Sequence, residues 1–113
     1  MYTVEFYVDG RGRSPVVEFL AELDKKARAK VAKWFEKLER EGPNLPRPYA
    51  DILKGKIREL RVGVGSNQYR FLYFFVVGKR IIITHGFKKK TPAVPEAEIS
   101  RAERYMEKIL EKE

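Results

Sequence analysis

The feature that most constrains this fold is a run of three closely spaced β-rich segments in the second half of the chain. They read IRELRV (57–62), QYRFLYFFVV (68–77) and RIIITHGF (80–87), and they are rich in β-branched and aromatic residues. Such residues favour strands, and the short links GVGSN and VGKR favour tight turns. We therefore expect three consecutive antiparallel strands, with QYRFLYFFVV central because its latter half is apolar on both faces.

The flanking segments add one strand and three helices. YTVEFYV (2–8) alternates like a strand, Ser14 and Pro15 are residue types that begin a helix, and a second apolar helical stripe follows Asp24 and ends at Gly42. EGPNLPRP (41–48) is expected to be an extended connector, and Pro95 to begin a final amphipathic helix. The predicted order is β-α-α-β-β-β-α. This is one α+β domain over residues 1–113, with a twisted, mainly antiparallel sheet, a helical hairpin on one face and the opposite face open for function.

The positive charge of the chain is concentrated in one segment. Residues 54–91 carry ten Lys or Arg against one acidic residue, whereas residues 1–53 carry ten against nine and residues 92–113 carry four against six. A surface that serves only solubility usually mixes its charges, so this segment is predicted to contact a polyanion. The candidate contact residues are Lys54, Lys56, Arg58, Arg61, Arg70, Lys88, Lys89 and Lys90.

Residue content excludes several kinds of site. The chain has no cysteine and one histidine, which leaves no disulfide and no usable metal-ligand spacing. It has no Walker loop, and GVGS (63–66) links two predicted strands instead of opening a helix, so we expect no cofactor. No apolar run approaches the roughly 20 residues that span a bilayer. The first residues of the sequence lack the charged stretch followed by an apolar stretch that is typical of a signal peptide. We therefore expect a cytoplasmic protein without membrane contact.

Metal-free cleavage of RNA is a reaction that a cluster of cations can support. It needs a base that takes the 2′-OH proton, cations that stabilise charge on the phosphorane, and an acid for the leaving 5′ oxygen. Lysines and arginines can supply all three. The alternative is a solvated charged surface without chemistry.

Several motifs taken together resemble a known toxin superfamily. These are LKGKIRELRV (53–62), YRFLYFF (69–75) and IITHGFKKKTP (82–92) with AEISRAERYM (97–106). The chain resembles the RelE/ParE superfamily, in particular its HigB-like, phage Gp49-like branch, over about its whole length in element order. The resemblance implies a RelE-like, microbial RNase-like fold. It also implies a toxin that cleaves mRNA on the ribosome and is neutralised by a small antitoxin, for which we expect a helix-turn-helix protein.

The resemblance also implies roles for individual cations. Arg61 and Arg70 match the sheet arginines of the family, and Arg70 fits the role of a phosphate clamp in the transition state. Lys88, Lys89 and Lys90 occupy the cationic position after the last strand. Strand alternation places Lys88 and Lys90 on one face, so we expect these two to be catalytic and Lys89 to bind RNA.

The chain departs from the better-known RelE-type toxins at two places. Those toxins carry lysines on the strand that here reads Ile57, Arg58 and Glu59, and they carry a tyrosine near the start of the last helix that has no aligned counterpart here. Lys54 and Lys56 flank Gly55 ahead of that strand and are expected to contact the RNA backbone, the alternative being a role in surface solubility, and Arg58 is expected to bind RNA.

Glu59 and His85 each permit two interpretations. Glu59 either orients Arg61 and Arg70 as an ion-pair partner or acts as the general base. His85 is either a structural residue or an acid or base, and its shared strand parity with Ile81, Ile83 and Phe87 favours the structural role.

Two further questions stay open at the level of sequence. Tyr69 and Tyr73 are candidate platforms for a base, although a place in the core is favoured. Two functions compete with the nuclease: a ParE-like gyrase inhibitor of the same fold, and a non-catalytic basic RNA-binding module or degenerate toxin. The cations in the sheet argue against the gyrase inhibitor, and the departures from the RelE pattern favour the binding module.

Overall fold

The computed structural model describes residues 1–112, which form a five-stranded mixed sheet and three α-helices. The strands are β1 (Thr3–Phe6), β2 (Ala50–Lys54), β3 (Ile57–Val64), β4 (Asn67–Val76) and β5 (Arg80–Lys88). The helices are α1 (Pro15–Ala21), α2 (Lys25–Glu41) and α3 (Glu96–Lys112), and a 3-10 turn covers Gly42–Asn44. The strand order is β1-β5-β4-β3-β2. Only the pairing of β1 with β5 is parallel, so the predicted α+β class and the central position of β4 are confirmed.

Both helices of the N-terminal hairpin begin at side chains that accept backbone hydrogen bonds. Ser14 Oγ accepts from the Val17 N–H at 3.2 Å, and Asp24 Oδ1 accepts from the Ala27 N–H at 2.8 Å. These oxygens satisfy N–H groups that have no partner inside the helix. The chain therefore ends α1 and begins α2 within a few residues, and the two helices pack side by side on the sheet.

The helical hairpin covers one face of the sheet and forms the larger part of the core. Apolar side chains of α1 and α2 pack against alternate residues of β3, β4 and β5, including Val16, Val31, Phe35, Leu38, Leu60, Phe71 and Ile83. Phe71 packs directly against β5, because a Cβ at Gly86 would lie 2.5 Å from a ring carbon of Phe71. Glycine is therefore the residue that lets this ring lie against the strand.

Strand β2 is not predicted by the sequence. It pairs antiparallel with β3 at the edge of the sheet, where Ala50 faces Leu60 and Asp51 faces Glu59. An edge strand is bonded along one side only and tolerates charged residues, so its local sequence carries a weak signal. The predicted element order therefore lacks one strand. The region before it, with three prolines, is a connector, but it is not extended throughout as predicted, because Gly42–Asn44 form a 3-10 turn.

Helix α3 covers part of the sheet face that was predicted to be open. Ile99 and Ala102 pack against Leu72, Phe74 and Ile82, so the prediction of an uncovered face is wrong over this area. The amphipathic α3 has to bury its apolar side, and the hairpin already occupies the other face. None of the helices described within residues 1–112 has the combination of length and apolar character that a bilayer crossing requires.

A bulge in β5 changes the direction of the side chains that follow Ile83. The pairing with β4 skips Thr84, which has no residue opposite it. One extra residue reverses the alternation of a strand. His85 consequently faces α3, whereas Ile81 and Ile83 face the helical hairpin. The predicted shared parity of His85 with these two isoleucines is therefore wrong.

Candidate functional site

A buried carboxylate holds two arginines on the side of the sheet that faces α3. Arg61 of β3 and Arg70 of β4 lie directly opposite each other in the pairing register. Glu59 Oε1 accepts a hydrogen bond from Arg61 Nε at 2.6 Å, and Glu59 Oε2 lies 3.7 Å from Arg70 Nε. Two like charges opposite each other on neighbouring strands are destabilising. The Glu59 carboxylate, which is 2% exposed, makes this placement of two cations possible.

The edge strand β2 fixes Arg61 from the other side. Arg61 Nη2 lies 3.4 Å from Asp51 Oδ2, and Arg61 Nη1 donates to the Pro48 carbonyl oxygen at 3.4 Å. The guanidinium therefore has partners on β3, on β2 and in the connector before β2. A side chain that is held from three directions loses little freedom when it binds an anion.

Arg70 is nearly buried, at 6% exposure, and its hydrogen bonding is incomplete. Its Nη1 donates to the Tyr69 carbonyl oxygen at 3.2 Å and approaches Gln68 Oε1 at 3.5 Å, while Nε has no hydrogen-bond acceptor within residues 1–112. Burial lowers the pKa of Arg70. The negative charge of Glu59 raises this pKa by a smaller amount, and the positive charge of Arg61 lowers it slightly further. An arginine remains protonated under all ordinary conditions, so Arg70 is a poorly solvated cation that would gain from an anion.

A cavity of about 430 Å³ adjoins both arginines. Its volume lies within the range of sites that hold small ligands. Its walls come from α2, from the connector before β2, and from β3 and β4, and they comprise Lys30, Trp34, Pro48, Tyr49, Arg61, Gly63, Gln68 and Arg70. Of these eight residues, only Arg61 and Arg70 were predicted from the sequence as site residues. Trp34 lies within the apolar helical stripe that follows Asp24, and the nearly balanced charge of residues 1–53 concealed the lysines on that helix.

The predicted RNA-contacting cations do not all gather at this cavity. Lys54, Lys56 and Arg58 lie around the β2–β3 turn, whereas the two arginines lie near the middle of β3 and on the neighbouring β4. Lys54 Nζ lies 3.7 Å from Glu103 Oε1 of α3, and the Arg58 guanidinium lies 5.0 Å from the centre of the Phe75 ring. These three residues form a separate basic area, and any contact that they make with RNA is distant from the arginine pair.

The pairing register places the lysines at the end of β5 on different sides of the sheet. Lys88 lies opposite Tyr69 and thus on the side of the helical hairpin, away from Arg70. The Lys89 N–H donates to the Gln68 carbonyl oxygen at 2.7 Å, which continues the register and places Lys89 on the side of Arg70. Lys89, which was predicted to bind RNA, therefore lies on the side of the sheet that carries Arg70, whereas Lys88, which was predicted to be catalytic, does not.

Tyr69 and Tyr73 belong to the core under the helical hairpin. Their exposed fractions are 7% and 1%, and Tyr73 is buried deeply enough to raise its pKa to about 12. The favoured interpretation of both as core residues is confirmed. Neither ring offers a free face on which a base could stack.

His85 is fully buried and links β5 to α3. Its Nδ1 lies 3.0 Å from Thr84 Oγ1 and its Nε2 lies 3.0 Å from Glu98 Oε1. Burial lowers the pKa of His85 to about 3, helped by the charges of Arg101 and Arg104. A neutral ring that carries its proton on Nε2 donates to the Glu98 carboxylate, and the Thr84 hydroxyl donates to the Leu72 carbonyl oxygen at 3.2 Å. With 0% exposure it cannot contact a substrate in this structure, which favours the structural role.

The buried histidine is expected to make folding stability depend on pH. Between pH 6.5 and about 3 the unfolded chain protonates His85 whereas the folded chain does not, so stability falls as pH falls. We expect this one group to lower the free energy of unfolding by about 1 kcal/mol per pH unit below the unfolded pKa. Urea unfolding of the native chain and of His85→Gln at about pH 7 and about pH 5.5 isolates the effect, because the variant lacks it. An equal pH dependence of the free energy of unfolding in both proteins would contradict a lowered pKa of His85 in the folded chain.

Among the side chains of residues 1–112, no three His, Asp or Glu residues come together in a way that could hold a metal ion.

A comparison with models of known protein families identifies the family. Residues 18–107 match the family described as Phage derived protein Gp49-like. The chain belongs to the Gp49-like family.

The fold of this Gp49-like chain is similar to that of a solved protein. The similar structure is that of the archaeal RelE-RelB complex from Pyrococcus horikoshii OT3, with 21% sequence identity and a TM-score of 0.53. The similarity covers 81% of this chain and 98% of the other. No curated protein matches the chain. The predicted Gp49-like family and the predicted RelE-like fold are thereby confirmed.

Proposed function

We propose that this Gp49-like chain is the toxin of a type II toxin–antitoxin system and cleaves mRNA on the ribosome. Its family and its RelE-like fold support a toxin. The observation that carries the nuclease proposal is the pair Arg61 and Arg70, held by the buried Glu59 beside an open cavity. Planar guanidinium groups match the geometry of phosphate oxygens and bind them in a bidentate manner.

In the proposed reaction the RNA 2′-OH attacks the adjacent phosphorus atom. The bond from the 2′ oxygen to phosphorus forms, the bond to the 5′ oxygen breaks, and a cyclic phosphate results. Arg70 stabilises the negative charge that grows on the non-bridging oxygens, and Arg61 assists it. Glu59 acts as a positioning residue, because its burial keeps it from the 2′-OH.

The proton transfers of this reaction are assigned to Lys88, Lys89 and Lys90, which lie at and just after the end of β5. One group has to take the proton of the 2′-OH and another has to protonate the leaving 5′ oxygen. Lys89 lies on the same side of the sheet as Arg70, and the exposed Lys88 and Lys90 flank it in the sequence. The ribosome would contribute by holding the mRNA in a geometry in which the 2′ oxygen is in line with the scissile bond.

The proposed partners are the translating ribosome, mRNA and a cognate antitoxin. The archaeal RelE with the similar fold was solved in a complex with RelB, which supports an antitoxin partner for this chain. We propose a small helix-turn-helix protein for this role, and the cytoplasm as the place where all of these partners meet.

The nuclease proposal is tested by tightly controlled expression followed by primer extension on cellular mRNA. We expect growth arrest together with new 5′ ends inside translated regions. A matched transcript without its start codon serves as the control and is expected to remain intact. Arrest with intact transcripts would contradict the proposal, and loss of DNA supercoiling activity in that case would favour the gyrase inhibitor. RNA binding without arrest would favour the non-catalytic module.

A further inference from the structure

An aromatic pair lines the cavity on the side opposite the arginines. The rings of Trp34 on α2 and Tyr49 before β2 are stacked, with 5.0 Å between their centres and 30° between their planes. Tyr49 is 41% exposed although it is a large aromatic residue. Both rings line the same cavity as Arg61 and Arg70. An aromatic surface therefore stands next to the proposed phosphate clamp.

A stripe of lysines continues from this aromatic pair along α2. Lys26, Lys30, Lys33 and Lys37 follow each other at intervals of four, three and four residues, which places them on one face of the helix. None of them forms an ion pair with a residue of the described range 1–112. Lys30 and Trp34 line both the cavity and a second, shallow depression that contains Lys26 and Lys33. The positive surface is thus continuous from the clamp to the exposed side of α2.

Single-stranded RNA requires this combination of groups. Proteins bind it with cations that follow the phosphate backbone and with aromatic side chains on which bases stack. We propose that Trp34 and Tyr49 form a base-binding subsite for single-stranded RNA, and that the lysine stripe of α2 carries the adjoining backbone. The ligand class follows from the proposed function, whereas the location of the subsite follows from the cavity alone.

Two further residues of the cavity suit a base at this position. Gly63 has no side chain, and the Gln68 amide lies over it, with Nε2 3.2 Å from the position that a Cβ would take. Gln68 is exposed, and its Oε1 lies 3.5 Å from Arg70 Nη1. The amide oxygen is thereby turned toward the clamp, and the amide nitrogen is available as a donor to an acceptor on the base edge.

Trp34 is the only tryptophan of the chain and reports on base stacking directly. The purified full chain is titrated with a short single-stranded oligoribonucleotide and with a matched oligomer that carries abasic sites but the same number of phosphates. We expect the first to quench the fluorescence of Trp34 in a saturable manner and the second to leave it largely unchanged. Equal quenching by both oligomers, or no binding of the normal one, would overturn the proposal.

Variants of the exposed Tyr49 separate stacking from general electrostatic attraction. Anisotropy of labelled RNA is expected to show that Tyr49→Leu weakens binding by about 5- to 100-fold, whereas Tyr49→Phe retains it because the ring is kept. Lys30→Ala is expected to lower the dependence of binding on salt by about one unit of slope, and Lys108→Ala on the exposed side of α3 serves as its control. Unchanged binding by Tyr49→Leu would overturn the proposal.

Failure of this inference can be distinguished from failure of the proposed function. If mRNA is cleaved normally by Tyr49→Leu and Trp34 is not quenched, the nuclease stands and the subsite falls. If Trp34 is quenched and Tyr49→Leu weakens RNA binding but no transcript is ever cleaved, the subsite stands and the nuclease falls.

Discussion

Replacement of Arg70 by alanine is expected to abolish growth arrest and to lower the rate of mRNA cleavage by about 100- to 1,000-fold. The side chain is 6% exposed, and its Nε has no hydrogen-bond acceptor within residues 1–112. This poorly solvated cation is therefore expected to stabilise the phosphorane charge more strongly than water would. Single-turnover cleavage of mRNA on programmed ribosomes measures this effect. The loss is expected in the rate of the chemical step, because the charge that Arg70 meets grows only in the transition state.

Two further variants control for charge and for fold. Arg70→Lys keeps the positive charge but loses the planar fork, so we expect an intermediate rate. Arg13→Ala removes an exposed arginine that pairs with Glu18, and we expect wild-type cleavage from it. Circular dichroism has to show that Arg70→Ala is folded. Cleavage by folded Arg70→Ala at the wild-type rate would refute its role as the clamp.

Replacement of Glu59 by alanine is expected to lower the free energy of unfolding by about 3–5 kcal/mol. The carboxylate is 2% exposed and faces two guanidinium groups at 2.6 Å and 3.7 Å. Its removal leaves two cations facing each other, with Arg70 buried and without a counter-ion on β3. Since small domains are stable by about 5–15 kcal/mol, urea unfolding can resolve a change of this size.

A matched ion pair on the surface shows how much of this effect comes from burial. Glu18→Ala breaks the exposed pair with Arg13, for which we expect a loss of at most about 1 kcal/mol. The double variant Glu59→Leu with Arg70→Met removes both buried charges and is expected to recover much of the stability that Glu59→Ala loses. Wild-type stability of Glu59→Ala would contradict the positioning role and would reopen its role as the general base.

The sequence predicted those parts of the fold that depend on interactions between residues close together in the chain. Ser14 and Asp24 begin their helices because their oxygens reach N–H groups three residues later. Strand β4 was predicted to be central because its latter half is apolar on both faces, which suits a strand that is paired on both sides and covered on both faces. Glu59 shares strand parity with Arg61, and the ion pair that the parity permits is present.

The site was predicted less completely, because it is assembled from distant parts of the chain. Tyr49 and Trp34 come together only when β2 pairs with β3 beside α2, and an edge strand has a weak local pattern. The bulge at Thr84 reversed the direction of His85, and simple alternation does not reveal a bulge.

The amino-acid sequence by itself determined the class of fold, the family and the concentration of cations after residue 53, and it made Arg61 and Arg70 candidate site residues. The tertiary structure alone decided which of these cations share a site, and it added an aromatic pair and a lysine stripe from α2. The physical reason is that periodicity and residue type are properties of neighbours in the chain. Strand register, bulges and the covering of a sheet face arise only when distant segments pack together.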